Sequence, residues 1–573
     1  MKGFFNRIAV VDLTAEEFSV EPVSHEIYER YMGGKGLASY LLCERNPARV
    51  DPLAPDNHLI FAAGAATGTV TWGSSRYGVF TKSPLTNFYC ESYSGGRVPE
   101  KISATGYDAV VFKGKADRLT VVEIDEEAIR FHDAHDLSGL DTFETETRVK
   151  QMCPGAGAVV VGPASENGVA FATIKNDGYR CAGRTGAGTV LGSKNVKAVA
   201  FRGKRKRTVH DQETLSTIAK ELAAESKEHP GVKAYKTMGT SQLVNVLNTV
   251  GAFPSEYWKK GHCPHYEKIN ADALHDRCEI TPHACAKCFL SCGRMGRVKQ
   301  GRHKGMELEG PEYETIYAFG GLCMIDSIEE IAFLNRLCDS LGMDTITTGN
   351  LCSFAMEAYS LGQSDFEIRY GDVENTEKLI RLIAEKQGIG EILAKGIVPA
   401  ARHWDMEDRA VHVKGLEPAG YDPRVLKGMG LGYATSDRGA CHLRATFYKP
   451  ELSGVIDPDT IEGKAELFID YEDRLTIFDT LILCRFFRDL YTWELLEEVV
   501  AALTGIDGSK ESLKQIAGNI TAKVREFNVR EGLVRSDDSL PKPFFDPLED
   551  TGAGITKEEI GRLLEDYYQI RGF

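Results

Sequence analysis

The sequence predicts an α+β fold in which an N-terminal β-rich domain is followed by two mainly helical domains. Over roughly the first 200 residues, short β-branched runs such as RIAVVDL, YDAVVFKG and VKAVAFRG are bounded by turn residues, a pattern typical of strands. From Asp211 onward, apolar residues recur every three or four positions, as in ETLSTIAKELAAESKEH, which indicates amphipathic helices. At 573 residues the chain also exceeds what one hydrophobic core usually organises, so several domains are expected.

Composition and charge restrict the class of protein. Apolar residues make up 42% and charged residues 26% of the chain, which is typical of a globular protein. The net charge of -15 would repel nucleic-acid phosphates, so we expect no nucleic-acid partner. The first apolar run is cut by Asp12 before it could form an export signal, and no segment approaches the roughly 18 apolar residues that cross a bilayer. We therefore expect a cytoplasmic protein without membrane insertion.

Two changes in the residue pattern along the chain indicate where the domains meet. The stretch RGKRKRT, from Arg202 to Thr208, separates the strand pattern from the helix pattern and is expected to be an exposed connection. A second change lies near Val411, where GLEPAGYDPR opens a segment rich in glycine and proline. These boundaries predict a β-rich domain over 1–207, a helical domain over 208–410 and a C-terminal helical domain over 411–573.

Cysteine usage points to metal chemistry. Fourteen cysteines in a chain expected to stay in a reducing compartment indicate free thiols or metal ligands. Cys285, Cys288 and Cys292 form a C-x2-C-x3-C pattern in CAKCFLSC, so their sulfurs can converge, and iron-sulfur clusters and structural zinc both need a fourth ligand. The spacing favours a cluster; zinc bound with help from Cys278 or His283, and three inert buried cysteines, are the alternatives.

Several glycine-rich segments are poor nucleotide-binding loops when each is taken singly. Their order along the chain, together with that of later segments, is more informative: GSSRYGVFTKSPLT, YSGGR, GYDAVVFKGKA, CAGRTGAGTVLGSKNVKAVAFRG, CAKCFLSCGR, EGPEYET, CDSLGMDTITTG, RGACHLRATF and DTLILC. In this order the chain resembles the tungsten-containing aldehyde:ferredoxin oxidoreductases over almost its whole length.

The resemblance implies the cofactors. In that family an N-terminal β domain supports two pterins that hold one tungsten, two helical domains cover the other side, and one 4Fe-4S cubane lies beside the pterins. Molybdenum is the alternative metal, because both metals bind dithiolene sulfur. Carried over by position, Cys285, Cys288, Cys292 and Cys484 become the cubane ligands, so Cys484 supplies the missing fourth thiolate.

Two further elements are implied to hold the pterin rings through carboxylates. Asp339 to Asp344 forms the family's D-x-x-G-L-D element with Met343 at the leucine position, and Asp479 to Cys484, which includes Leu483, forms its second copy. Carboxylates are suited to accept hydrogen bonds from ring nitrogens. Ile482 stands where the family usually has glycine, which puts the backbone path before Cys484 in question.

The N-terminal domain is implied to bind the pterin phosphates. Glycine there permits close backbone approach, and arginine offers charge-assisted contacts. The matching positions are Arg76, Ser94, Gly95, Ala182, Gly183 and Arg184. Tyr93 replaces the expected asparagine, which weakens that one contact, and a magnesium ion bridging the phosphates is a further component that the resemblance admits.

Oxidation of an aldehyde to an acid needs a carbonyl donor and a base that takes a proton from water, roles suited to histidine and a carboxylate. The resemblance makes His442 in RGACHL, with Glu312 or Glu314 in EGPEYET, the catalytic candidates. If EGPEYET is extended, its two carboxylates point in opposite directions and one faces the metal; the alternative is that both acids mark a helix start. Lys449 is expected to line the same cavity or to be a surface charge, and Cys441 to pack.

Partners follow from the same resemblance. The substrate is expected to be an aldehyde or a related small molecule, and the electron acceptor a ferredoxin or a ferredoxin-like iron-sulfur subunit, for which RGKRKR is a weak docking candidate. Some family members form homodimers through an iron bound by an E-x-x-H element; since no histidine lies between His303 and His403, a homodimer here would lack that iron. The alternative functions are a low-potential reductase of an acid or aromatic thioester, and a zinc-stapled scaffold.

Overall fold

The computed structural model describes residues 1–573 and confirms the predicted α+β class, with the strands concentrated in the first 201 residues. The strands are β1 Arg7–Asp12, β2 Glu17–Pro22, β3 Leu59–Ala62, β4 Tyr77–Lys82, β5 Tyr89–Ser94, β6 Ala109–Lys113, β7 Thr120–Ile124, β8 Ile129–Asp133, β9 Gly157–Val160, β10 Ile174–Asn176, β11 Arg180–Ala182, β12 Val196–Phe201, β13 Cys278–His283, β14 Gly293–Val298 and β15 Glu307–Glu309.

Helices are interspersed with these strands and then dominate the rest of the chain. They are α1 His25–Tyr31, α2 Gly34–Arg45, α3 Val98–Ala104, α4 Thr142–Met152, α5 Pro163–Glu166, α6 Ala187–Ser193, α7 Gln212–Glu225, α8 Pro230–Met238, α9 Leu243–Thr249, α10 Ala271–Arg277, α11 Tyr313–Ile316, α12 Ile328–Leu341, α13 Thr345–Ser360, α14 Val373–Glu385, α15 Gly390–Leu393, α16 Ile397–His403, α17 Lys427–Thr435, α18 Tyr448–Leu452, α19 Lys464–Leu481, α20 Trp493–Thr504, α21 Lys510–Arg530 and α22 Lys557–Arg571. No helix combines the length and apolar character needed to cross a membrane.

Two six-stranded mixed sheets form the β-rich part. The first has the order β2-β1-β6-β3-β4-β5 and the second β11-β10-β9-β12-β7-β8, while β13, β14 and β15 make a separate three-stranded sheet. Alternation along β1 shows how the first sheet is buried on both faces. Ala9 and Val11 share an apolar core with Phe201 of the second sheet, whereas Ile8 and Val10 face a core built with α2, α19, α20 and α21.

The connection from Arg202 to Thr208 is irregular backbone, and its residues 204–206 are exposed as expected. The prediction is wrong for Arg207, which is buried because its guanidinium pairs with Asp108 at 2.6 Å and donates to the Gly3 carbonyl. The apolar core of the helical part runs continuously through residues on both sides of 410. The second predicted boundary therefore has no separate core to mark it and stays a prediction.

Candidate active site

A large cavity lies where loops of the β-rich part meet the helices. It contains about 1320 Å³ not filled by protein atoms, part of it continuous with solvent. Its lining includes most of the residues predicted from the sequence: Arg76, Ser94, Gly95, Gly183, Cys285, Cys288, Cys292, Glu312, Glu314, Asp339, Met343, Asp344 and Cys484. An adjoining cavity of about 500 Å³ is lined by Arg184, Asp479 and Leu483. Ala182 and His442 line neither; Ala182 points into the core between the sheets.

The three clustered cysteines lie on a tightly turned loop between β13 and β14. Lys287 and Ser291, each directly before a cysteine, have positive φ values of 50° and 48°. Such values are uncommon outside glycine and persist only where the surroundings impose them. The turns allow Cys285, Cys288 and Cys292 all to face the cavity.

Gly73 connects this loop to the distant Cys484. Its N–H donates to the Lys287 carbonyl at 2.7 Å, and its carbonyl accepts from the N–H of Cys484 at 2.9 Å. Two backbone hydrogen bonds to one residue thus bring the fourth sulfur to the other three. Gly95 is equally constrained, since a Cβ there would lie 2.8 Å from Cys285 Sγ.

The thiols suit a polynuclear metal group. Burial raises the pKa of Cys288 to about 12 and that of Cys292 well above its usual value, so a bound metal would have to displace their protons. No three of the four sulfurs lie mutually within 4.8 Å. Tetrahedral zinc with sulfurs at about 2.3 Å would hold them roughly 3.8 Å apart. Four cysteine thiolates are the usual ligand set of a 4Fe-4S cluster.

The two Asp-containing elements have the same backbone path. Asp339 to Asp344 begins in the last turn of α12 and continues past its C-cap, Gly342, which is left-handed at φ 79° and ψ 47°. Asp479 to Cys484 begins in the last turn of α19 and continues past its C-cap, Ile482, which is left-handed at φ 54° and ψ 52°. The replacement of glycine by Ile482 therefore leaves the path intact, although a β-branched residue is strained in this conformation.

The predicted carboxylates are held in place by cations. Lys175 donates to Asp339, and Arg184 Nε donates to Asp344 at 3.3 Å. Asp479 accepts from two arginines, Arg444 at 2.9 Å and Arg485 at 2.6 Å. A carboxylate has about four acceptor positions, so each retains capacity for a ring N–H.

The adjoining cavity is strongly cationic. Asp479 is its only acidic lining residue, against four guanidinium groups: Arg76, Arg184, Arg438 and Arg485. Planar guanidinium groups bind phosphate through paired hydrogen bonds. The donor set therefore fits an anionic cofactor group such as a pterin phosphate.

Both acids of EGPEYET reach the main cavity, and the structure shows the alternative in which they mark a helix start. The segment is not extended: Glu312 is the N-cap of α11 and Glu314 lies in its first turn. Because the cap residue keeps non-helical φ and ψ, its side chain need not follow the helical spacing of Glu314. Glu312 accepts a hydrogen bond from Thr240.

Glu314, which lines the main cavity, lies beside His442, which does not line it. Burial raises the pKa of Glu314 to about 7, while one carboxylate oxygen accepts from the Gly420 N–H at 3.0 Å. The other oxygen has no hydrogen-bond partner and lies 3.5 Å from His442 Nε2. Burial, then the positive charge of Arg438, lowers the pKa of His442 well below its usual value, so the ring is neutral at pH 7. Its Nδ1 is also unpartnered, and the ring stacks on Tyr421.

Two neighbouring residues have other roles. Lys449 pairs with Asp489 at 3.2 Å and lines neither cavity, which supports the surface-charge alternative. Cys441 is buried, and its sulfur accepts from Arg438 at 3.0 and 3.2 Å. Burial raises the pKa of this thiol, but Arg438 and Arg444 outweigh it and lower the pKa to about 7.

Sequence reasoning missed several charged residues of the site, among them Lys175, Arg180 and Glu417. Lys175 and Arg180 line the main cavity, and buried Glu417 accepts from Thr347 at 2.9 Å beside Arg184. The signal for Lys175 was its place in the apolar strand run ATIKN, where a charged side chain needs a buried partner. No comparable signal marks Glu417, whose partners come from distant segments.

Comparison with known proteins gives concordant matches. The model of the aldehyde ferredoxin oxidoreductase N-terminal domain matches residues 8–203, and that of domains 2 and 3 matches residues 217–573. The chain is 35% identical to the tungsten-containing aldehyde ferredoxin oxidoreductase of Pyrococcus furiosus and 34% identical to that of Thermococcus kodakarensis, covering 100% of this chain and 97% of each relative. The solved active site complex BamBC of benzoyl coenzyme A reductase has a TM-score of 0.86 and 22% identity, covering 100% of this chain and 95% of that one. At that identity the structural likeness shows the fold alone.

Proposed function

The chain belongs to the aldehyde ferredoxin oxidoreductase family, and we propose that it oxidises an aldehyde to a carboxylic acid and passes the electrons to a ferredoxin. The observation that carries this proposal is the pair formed by Glu314 and neutral His442 beside the cavity that four cysteines line.

The residues of the two cavities fit the family's cofactors. Cys285, Cys288, Cys292 and Cys484 would hold the 4Fe-4S cluster. The pterin contacts would come from Arg76, Ser94, Gly95, Gly183, Arg184, Asp339, Met343, Asp344, Asp479 and Leu483, whereas the side chain of Ala182 faces the core. When bound, the tungsten or molybdenum bis-pterin supplies the two-electron oxidation, and the cluster passes electrons singly. A bridging magnesium ion and a homodimer stay predictions.

The chain's own residues manage the proton. With a pKa of about 7, Glu314 is about half ionised at neutral pH and can take a proton from water at its unpartnered oxygen. His442 carries one N–H as a neutral ring. When that proton is on Nδ1, Nε2 is free to accept a hydrogen bond from the protonated carboxyl of Glu314, which orients the base.

The experiment is metal analysis of anaerobically purified protein together with viologen reduction by a panel of aldehydes. We expect about one tungsten and about four irons per chain, since one cubane contains four, and aldehyde-dependent dye reduction. The same metals without aldehyde activity would contradict the proposal and favour the low-potential reductase, for which an aromatic thioester is the substrate to assay. Zinc without iron would contradict both; membership of an oxidoreductase family already argues against a zinc-stapled scaffold.

A further inference from the structure

A basic surface surrounds the solvent side of the cysteine loop. We propose that this surface, formed by Arg97, Lys220 and Lys287 around Trp72 and Phe289, is where an acidic ferredoxin docks to receive electrons. The inference rests on the proposed function and assigns the location of electron exit within it.

The three cations are brought together by contacts that also position the loop. Lys287 is exposed between Cys285 and Cys288, and the N–H of the preceding Ala286 donates to the Gly96 carbonyl at 3.0 Å, which places Arg97 beside it. Lys287 is directly adjacent in sequence to the proposed cluster ligand Cys288. A carrier seated there would approach the cluster through the loop alone.

An aromatic pair completes the surface. Trp72 and Phe289 are both half-buried and pack edge to face with ring centroids 5.3 Å apart. The Trp72 indole donates to the Ala219 carbonyl at 2.7 Å, which brings α7 and exposed Lys220 to the same region. Amphipathic aromatics surrounded by charge are the composition that protein interfaces favour.

The positive charges are available to a partner. Arg97, Lys220 and Lys287 are exposed and form no ion pair. Asp177 accepts from the backbone N–H of Arg97 at 2.6 Å, and burial raises the pKa of Glu100. In a chain of net charge -15, three unpaired cations around one loop form a local attraction for an acidic surface.

The stretch from Arg202 to Thr208, the docking candidate from the sequence, also has three exposed cations without an ion pair, Lys204, Arg205 and Lys206, but they do not surround the cysteine loop. Arg202 pairs with Glu123 at 2.9 Å, and Arg207 is buried against Asp108. The stretch follows β12 of the second sheet and contributes no residue to the cavity that contains the cysteines. Its exposed residues therefore serve as the matched control.

The redox balance requires a one-electron carrier. Each aldehyde combines with one water to give the acid, two protons and two electrons, which leave one at a time. The oxidised clusters of ferredoxin accept them, so each turnover reduces two clusters. Transient docking by charge, with fast release, suits such repeated exchange.

The test compares the double variant Arg97→Gln/Lys287→Gln with Lys204→Gln/Lys206→Gln, which removes the same charge at the control stretch. Binding of an acidic two-cluster ferredoxin is measured by calorimetry at low salt. Ferredoxin-linked kcat/KM is divided by viologen-linked kcat/KM for each protein, so that changes in cofactor content cancel. We expect binding and this ratio to fall roughly five- to tenfold in the first variant only, and wild-type binding to weaken with salt.

The proposed docking surface would be wrong if both double variants lowered binding and the kcat/KM ratio equally, or if Arg97→Gln/Lys287→Gln lowered neither. A Lys220→Gln variant, distant in sequence from the cysteines, must weaken binding about two- to threefold, which separates docking from damage to the loop. A dedicated iron-sulfur subunit that copurifies and covers Lys287 would also overturn transient ferredoxin docking. If aldehydes fail to reduce viologen, the proposed function fails, while calorimetry still decides whether ferredoxin binds here.

Discussion

Replacement of Glu314 by glutamine tests the proposed base without changing the shape of the side chain. The wild-type carboxylate has a pKa of about 7, so its ionised fraction rises with pH through neutrality. That fraction is about a tenth at pH 6 and about nine tenths at pH 8. If ionised Glu314 is the base, aldehyde-dependent kcat/KM rises nearly tenfold across this interval. Glutamine should lower kcat/KM by roughly 10²- to 10⁴-fold and abolish this rise.

The stability of the wild-type protein should fall as the pH rises, opposite to the rise of kcat/KM. Because folding raises the pKa of Glu314 from its usual 4.5 to about 7, the folded state favours the protonated carboxyl. Its contribution to stability is complete below pH 4.5 and is lost as pH rises to about 7, a loss of up to about 3 kcal/mol. Glutamine carries no such penalty. At pH 8 the variant should therefore unfold at a higher denaturant concentration than the wild type.

Glu417→Gln is the matched control, since burial also raises the pKa of Glu417 to about 7 but this residue does not line the cavity. It should retain the inflection of kcat/KM near pH 7. The assay is viologen reduction by one aldehyde between pH 5.5 and about 8.5, with tungsten and iron quantified in every sample. An inflection that persists in Glu314→Gln and disappears in Glu417→Gln would refute the assignment.

Three other predictions concern the metal site and the fold. Cys484→Ser should lose most of its iron and its brown colour, measured by iron analysis and visible absorbance; retention of about four irons would exclude Cys484 as a ligand. Gly95→Ala places a Cβ 2.8 Å from Cys285 Sγ and should reduce iron content while far-ultraviolet circular dichroism stays unchanged. Asp108→Asn leaves the buried Arg207 guanidinium without its 2.6 Å partner and should lower the free energy of unfolding by about 3–5 kcal/mol, measured with denaturant. A loss below about 1 kcal/mol would show that the pair is dispensable.

Local chemistry made part of this molecule predictable. Alternation in RIAVVD marks a strand, and β1 does send Ile8 and Val10 to one core and Ala9 and Val11 to another. The spacing of Cys285, Cys288 and Cys292 placed three thiols on one short loop. These features depend on neighbours a few residues apart, which the sequence displays directly.

The direction of individual side chains was less predictable. The acids of EGPEYET would diverge in an extended segment, but a helix begins between them, and Glu312 and Glu314 both face the cavity. The sequence predicts that Arg207 is one exposed charge in a basic run. It is buried instead, because Asp108 from another segment neutralises it. A residue's burial and partners depend on segments that fold against it.

The sequence by itself determined the order of a β-rich part before a mainly helical one, the family and the identity of the four candidate cysteine ligands. Only the tertiary structure decided how Cys484 reaches the other three, through two backbone hydrogen bonds to Gly73. It also decided that Glu314 lies beside His442, where burial raises the pKa of Glu314 and lowers that of His442. The physical reason is that thiol, carboxyl and imidazole chemistry are set by distance and burial, which arise from contacts between residues hundreds of positions apart.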